Sequence, residues 1–156
     1  MTEETVFARI TRFLDSQGVP YDVLHHAPVF TSEEAAVVRG TPLASGAKAL
    51  VCKVDERFVL FVLPADRKLA SKLARKALAG KSLRFATKEE VLELTGLAPG
   101  SIPPFGSLFQ LPTWCDQALA DQPQINFNAG DHAISVSMTF AAYQTAEQPT
   151  LATVAE

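Results

Sequence analysis

Two stretches of this chain combine residue types and spacing that suit chemistry. The first is Lys48, set in the apolar run Gly46-Ala-Lys48-Ala-Leu-Val-Cys52. If this run is a strand, Ala47, Ala49 and Val51 share one face and Leu50 and Cys52 the other, so both faces are apolar and the strand is buried on both sides. A lysine there must reach a crevice, snorkel out or find a carboxylate, because an unpaired buried ammonium is costly. The second is Gly96-Leu-Ala-Pro-Gly100-Ser-Ile-Pro-Pro104-Phe-Gly106, with three glycines and three prolines in eleven residues and no charge. Proline fixes φ, and glycine permits conformations and close approaches other residues resist. The loop is therefore stiff, and its backbone N–H groups are suited to holding a carbonyl or ribose oxygen without reorganisation. The same composition also describes a plain connector between two elements.

Other groups are weighed against these. His25 and His26 are adjacent and point opposite ways if the strand before them continues, His132 is distant, and there is no HExxH or Cys/His cluster. The expectation is no metal and no cofactor. His26 is placed at the pocket mouth or as a hydrogen-bonded structural histidine. There is no GxSxG elbow; Cys115 lacks a histidine partner in sequence and Cys52 falls in the buried strand, so neither thiol reads as a nucleophile. Asn128-Ala-Gly130-Asp131 follows a strand and either closes a pocket wall or makes an ordinary hairpin turn.

The elements that must position these groups follow from periodicity. Thr5–Gln17 reads as a helix stopped by Gly18-Val-Pro20, and Tyr21–His25 as a short strand. Thr31-Ser-Glu-Glu34 and Thr87-Lys-Glu-Glu90 are capping boxes opening helices through Val38 and Leu94. Ala47–Val54 and Arg57–Leu63 form a hairpin at the centre of the sheet. Asp66 is expected to cap a helix to Ala79, with an apolar stripe of Leu69, Leu73 and Ala77 and a basic face of Lys68, Lys72, Arg75 and Lys76. Leu83–Phe85 and Leu108–Leu111 read as strands and Trp114–Asp121 as a short helix or turn. Ile125–Phe127 pairs with Ala133–Met138, and Thr139 caps a final helix to Thr145. Hairpins mixed with helical crossovers mean an α/β fold with helices packed on a mixed sheet.

The 156 residues fit one domain, 1–156, with a frayed tail over 146–156. Apolar residues make up 47% and charged residues 20%, the balance of a soluble globule, and no run reaches the roughly 18 apolar residues of a membrane span. The acidic start, Met1-Thr-Glu-Glu-Thr-Val, lacks a signal peptide's features, and two cysteines make no disulfide framework, so a cytoplasmic location with no membrane contact is expected. The net charge of −3 argues against a generic DNA binder, yet eight of the basic residues crowd between Asp66 and Lys88, a local field able to steer a polyanion.

Gly96-x3-Gly100-x3-Pro104-x-Gly106, downstream of Lys48 in its apolar strand, resembles the YbaK/EbsC family of free-standing aminoacyl-tRNA deacylases, related to the editing domain inserted in bacterial prolyl-tRNA synthetase. The resemblance spans about Val19 to Tyr143. Arg39-Gly-Thr41 followed by Gly46-Ala-Lys48-Ala-Leu-Val-Cys-Lys53 is most similar to relatives acting on seryl- and threonyl-tRNA. The family implies a curved, barrel-like mixed β-sheet surrounded by helices, with the crevice at one side. It implies a trans-editing hydrolase in which water attacks the aminoacyl ester, helped by a substrate ribose hydroxyl and with no protein nucleophile. Lys48 would hold the phosphate or ester end of the terminal adenosine. Gly100 and Ser101 would donate N–H groups, and Gly96, Pro104, Phe105 and Gly106 would shape the floor. Phe30 and Thr31 would touch the aminoacyl group or adenosine, beside His26 and the Asn128, Gly130, Asp131 wall; Phe30 also reads as a hydrophobic staple. Lys68, Lys72, Arg75 and Lys76 would follow the acceptor-stem backbone, or be a solvated face. Partners would be aminoacyl-tRNA and an aminoacyl-tRNA synthetase. The competing reading is a non-catalytic aminoacyl-tRNA or synthetase-binding module of the same fold.

Overall fold

The computed structural model describes residues 4–156, so the start of the acidic N-terminal segment lies outside the described residues. In chain order the elements are α1 (Val6–Gln17), β1 (Asp22–His25), α2 (Ser32–Arg39), β2 (Ala47–Val54), β3 (Arg57–Pro64), α3 (Ser71–Leu78), β4 (Leu83–Phe85), α4 (Lys88–Thr95), β5 (Thr113–Asp116), β6 (Gln124–Asn128), β7 (Ile134–Thr139), α5 (Phe140–Glu147) and β8 (Thr150–Ala152). The helix ends carry the signals that set them. Thr5, Thr31, Thr87 and Thr139 each accept a backbone N–H as N-cap, and Thr87 with Glu90 forms a complete capping box.

The β2–β3 hairpin sits at the centre as expected, turning at Asp55, whose φ of 54° an aspartate tolerates. It anchors a five-stranded mixed sheet of order β4-β2-β3-β5-β8, in which β3–β5 and β5–β8 are parallel. A second, antiparallel sheet has the order β1-β7-β6. The mixed α/β class is therefore as expected; among the described residues the strands form two sheets, with no closed barrel. A single parallel bridge, Gly46 to Asn126, ties them together. One core fills the space between the sheets, with Ala47, Ala49, Val51, Leu60, Val62, Phe127 and Val136 against Ile10 and Leu14 of α1. A second core lies on the other face of the larger sheet, where Cys52, Val54, Phe61 and Leu63 meet Ala74 and Leu78 of α3. Both faces of β2 are thus covered, as its residue pattern requires.

Four expectations are corrected. Residues 146–156 are not a frayed tail: β8 pairs with β5, and Val154 and Ala155 are buried in the second core. Asp116 holds them, its Oδ1 accepting from the N–H groups of Val154 and Ala155 at 2.8 and 2.9 Å. The same tail explains α3. Lys68 exchanges both backbone hydrogen bonds with Glu156, and Leu69 bridges Ala155, so residues before Ser71 are extended and Asp66 caps nothing. The buried stripe of α3 is accordingly Ala74 and Leu78. Finally, Gly106–Phe109 is a 3-10 turn, and the strand expected at Leu108–Leu111 starts after Pro112, at Thr113, which also replaces the first part of the helix or turn expected at Trp114. Thr113 Oγ1 accepts from the Gly106 N–H at 2.9 Å and closes this turn.

Candidate active site

Lys48 projects from β2 into a crevice of about 180 Å³. Three segments wall it: Phe30, Thr31 and the inner face of α2; the Thr41–Leu43 turn; and Gly100, Ile102 and Asn128 from the far side. Among the described residues Lys48 forms no salt bridge. Burial lowers its pKa, opposed by the charges of Glu33 and Asp66 and reinforced by Lys68. A cation left without a partner inside a crevice is available to a ligand.

The glycine–proline loop is rigid for reasons the structure makes explicit. Gly100 has φ of 92°, a conformation that favours glycine. Its carbonyl accepts from Asn128 Nδ2 at 2.7 Å, while its N–H donates to no acceptor among the described residues. Ser101 is different. It is buried, its N–H is turned onto the Ala98 carbonyl at 3.3 Å, its hydroxyl donates to the same carbonyl, and its own carbonyl accepts from Gly130 N–H. The loop therefore presents Gly100 to the crevice and uses Ser101 to hold itself.

The expected floor lies deeper than the crevice. Phe105 is fully buried among Phe13, Phe127 and Tyr143, each ring edge-on to it, and the Tyr143 hydroxyl donates to the Pro104 carbonyl at 2.7 Å. Gly106 is a close approach: a Cβ there would collide with Thr113 Oγ1 and the Leu111 carbonyl. Gly96 ends α4 with φ of 75° and lies outside the crevice lining. These four residues shape the loop without lining the site; Ile102 does line it.

Asn128 lines the crevice, whereas Gly130 and Asp131 build the turn behind it. Gly130 packs against Val6, where a Cβ would clash, and Asp131 Oδ1 accepts from Ala133 N–H at 2.7 Å. Phe30 is 72% exposed at the mouth, its ring tilted against that of His132, a residue that only the fold brings here, with centroids 4.9 Å apart. His132 stands close to Gly100, and its buried Nδ1 has no partner among the described residues. His26 does not line the crevice; its Nε2 shares a 2.8 Å hydrogen bond with Ser135 Oγ.

Sequence reasoning missed the role of Arg39. From the last turn of α2 its Nε donates to Ser135 Oγ at 2.8 Å and its Nη2 to Asn128 Oδ1 at 2.9 Å. It has no salt bridge among the described residues, and burial draws it down to about 10. Its sequence signal was local, the Arg39-Gly-Thr41 run, but only the fold shows that this arginine faces the crevice.

The expected basic face breaks up. Lys68 sits ahead of α3, near enough to Lys48 to act on its charge. Lys72 and Lys76 are exposed on the helix, and Arg75 folds back onto the Ser71 and Lys81 carbonyls. Burial pushes the thiols of Cys52 and Cys115 up to about 12, which suppresses the thiolate a nucleophile needs. No helix among the described residues is long and apolar enough to cross a membrane.

Comparison with known proteins supplies the context. A family model described as an aminoacyl-tRNA editing domain matches residues 26–146. The multifunctional Ser/Thr-tRNA deacylase ProXp-y of Escherichia coli K12 is 36% identical over 148 residues, 92% of this chain and 89% of that protein. The proline–tRNA ligase of Shouchella clausii is 35% identical over 109 residues, 68% of this chain but only 19% of the ligase. A crystal structure described as a candidate trans-editing enzyme for prolyl tRNA synthetase superposes with a TM-score of 0.88 at 27% identity, covering 99% of each chain.

Proposed function

Because the chain belongs to the aminoacyl-tRNA editing domain family, we propose that it is a trans-editing deacylase that hydrolyses the ester of mischarged aminoacyl-tRNA. The preferred esters are seryl- and threonyl-tRNA, then alanyl- and cysteinyl-tRNA. The observation that carries the reading is that Lys48 and Gly100, an unpaired cation and a rigid donor, line one crevice. Water attacks the ester carbonyl, helped by a ribose hydroxyl, and negative charge develops on the carbonyl oxygen. A fixed N–H and an ammonium at that point stabilise this charge at little reorganisation cost. Collapse of the tetrahedral intermediate expels the ribose oxygen, which leaves protonated. The protein contributes positioning and polarisation, in keeping with its buried, unreactive thiols.

The substrate preference is supported by the similarity to the E. coli Ser/Thr-tRNA deacylase. Small side chains that differ by a methylene are separated by only about 1–3 kcal/mol in a synthetase pocket, which is why a second hydrolytic sieve is useful. Similarity to a segment of proline–tRNA ligase supports a role beside a synthetase, in the cytoplasm where tRNA is charged. The test is a deacylation panel with labelled Ser-, Thr-, Ala-, Cys- and Pro-tRNA. Loss of Ser and Thr esters above the spontaneous rate is the expected result. Tight binding of the same tRNAs with no turnover would replace the enzyme with a binding module.

A further inference from the structure

Arg39 stands on the wall between two cavities. Besides the Lys48 crevice it lines a second one, about 260 Å³, on the β1-β7-β6 sheet, with Asp22, Leu24, Asn126, Ser135 and Ser137; Thr41 also lines both. Its two hydrogen-bond partners, Ser135 and Asn128, are neutral. An arginine has five N–H donors, so these bonds leave others unspent and the full charge uncompensated. Part of the guanidinium lies toward the crevice wall: a Cβ built on Gly46 would stand 3.9 Å from Arg39 Nη1. Partly buried arginines are ordinarily answered by a carboxylate, and here none of the described ones does so.

Lys48 and Arg39 therefore put two cations around one site. An esterified amino acid brings a further positive charge in its ammonium group. The anion that such a ligand carries is its phosphodiester. A phosphodiester also has two sides, each bearing a nucleoside, and Arg39 has a cavity on each side. The second cavity mixes aliphatic side chains with hydroxyl and amide groups and one carboxylate, Asp22, a lining that offers a base apolar contacts and donors and acceptors, and that leaves Arg39 to hold the phosphate. We propose that Arg39 holds the phosphodiester joining the last two nucleotides of the acceptor strand, with the aminoacylated terminal nucleoside in the Lys48 crevice and the penultimate nucleotide in the second cavity. This rests on the deacylase reading and completes it, since it leaves Lys48 for the ester end. The planar fork of a guanidinium matches two phosphate oxygens, which an ammonium does not.

The experiment compares two small substrates, 3′-O-seryl-adenosine and the corresponding 3′-O-seryl cytidylyl-adenosine dinucleotide, with full seryl-tRNA as reference. Wild type is expected to favour the dinucleotide by about 10–100-fold in kcat/KM, the range of a charge-assisted hydrogen-bonded pair. Arg39→Gln should lose most of that preference, falling far more on the dinucleotide than on the nucleoside, and mostly through KM. Arg39→Lys should keep part of it. Where Arg39→Gln does not melt cooperatively, the preference of Arg39→Lys, expected below wild type, decides. Equal losses on both substrates would overturn the proposal and place Arg39 inside the first cavity or in the scaffold. Wild type that cleaves seryl-tRNA but gains nothing from the added nucleotide would overturn it while leaving the deacylase standing. Wild type inactive on every ester would remove both.

Discussion

Asn128 donates to the Gly100 carbonyl at 2.7 Å across 28 residues of chain, and the other end of the same amide accepts from Arg39 at 2.9 Å. One side chain thus fixes both the rigid loop and the guanidinium that face the crevice. Asn128→Asp breaks the first bond and turns the second into an ion pair. The new carboxylate pairs with Arg39 but gives the Gly100 carbonyl no donor. Stability should hold, and kcat/KM on seryl-tRNA should fall by about 10²-fold, the cost of misplacing catalytic donors. Activity matching wild type would mean that the loop does not depend on this bond.

Lys48→Ala should lower kcat/KM by on the order of 10²–10³-fold, the usual cost of removing a group that stabilises developing charge. The melting temperature should change little, because an unpaired lysine in a crevice contributes little to folding. If Lys48 must be charged, its lowered pKa also sets a pH limit. Activity should decline as pH rises toward a value below the ordinary 10.5, and the decline should vanish in the variant. A large fall in melting temperature with activity intact would make Lys48 a structural residue.

Asp116 is 3% exposed and accepts backbone N–H groups from Val154, Ala155 and Ala118. Asp116→Ala strands those donors and should cost about 2–3 kcal/mol in denaturant unfolding. Amide hydrogen exchange at Val154 and Ala155 should accelerate more than in β2 and β3. Uniform acceleration would mean that the tail and the sheet unfold together.

Glu147 is a carboxylate held in protein, accepting from Ser107 N–H, Ser107 Oγ and Thr113 Oγ1. Burial raises its pKa more than these bonds lower it. A raised folded-state value means the native state binds the proton more tightly than the unfolded chain. The resulting stability is fully present below the ordinary 4.5 and is lost as pH rises through the folded value. Glu147→Gln should remove that decline in a series of denaturant melts across mildly acidic pH. A variant with the wild-type slope would assign the decline elsewhere.

How much of this was legible in the chain depended on range. Helix caps at Thr31, Thr87 and Thr139, the β2–β3 hairpin and the β6–β7 pair were readable because each is specified by neighbours a few residues apart. Lys48 and the stiff loop stood out for the same reason: a charge in an apolar strand and a density of glycine and proline are local facts. What failed was set by distant partners. The N-terminal end of α3 was displaced from Asp66 to Ser71 because residues 68–70 pair with the C-terminal segment, which a local cap signal cannot reveal.

The sequence alone determined a mixed α/β chain with an apolar central hairpin, a lysine that must reach a crevice, snorkel out or find a carboxylate, and a stiff loop that either holds a ligand or connects two elements. Tertiary structure alone decided that Ser101 spends its N–H internally, that Phe105 is core, that His132 reaches Phe30, and that Arg39 ends between two cavities with no salt bridge among the described residues. The reason is physical. Periodicity and turn chemistry act within a turn or a strand pair, whereas burial, hydrogen-bond satisfaction and charge compensation depend on which distant residues arrive at the same place.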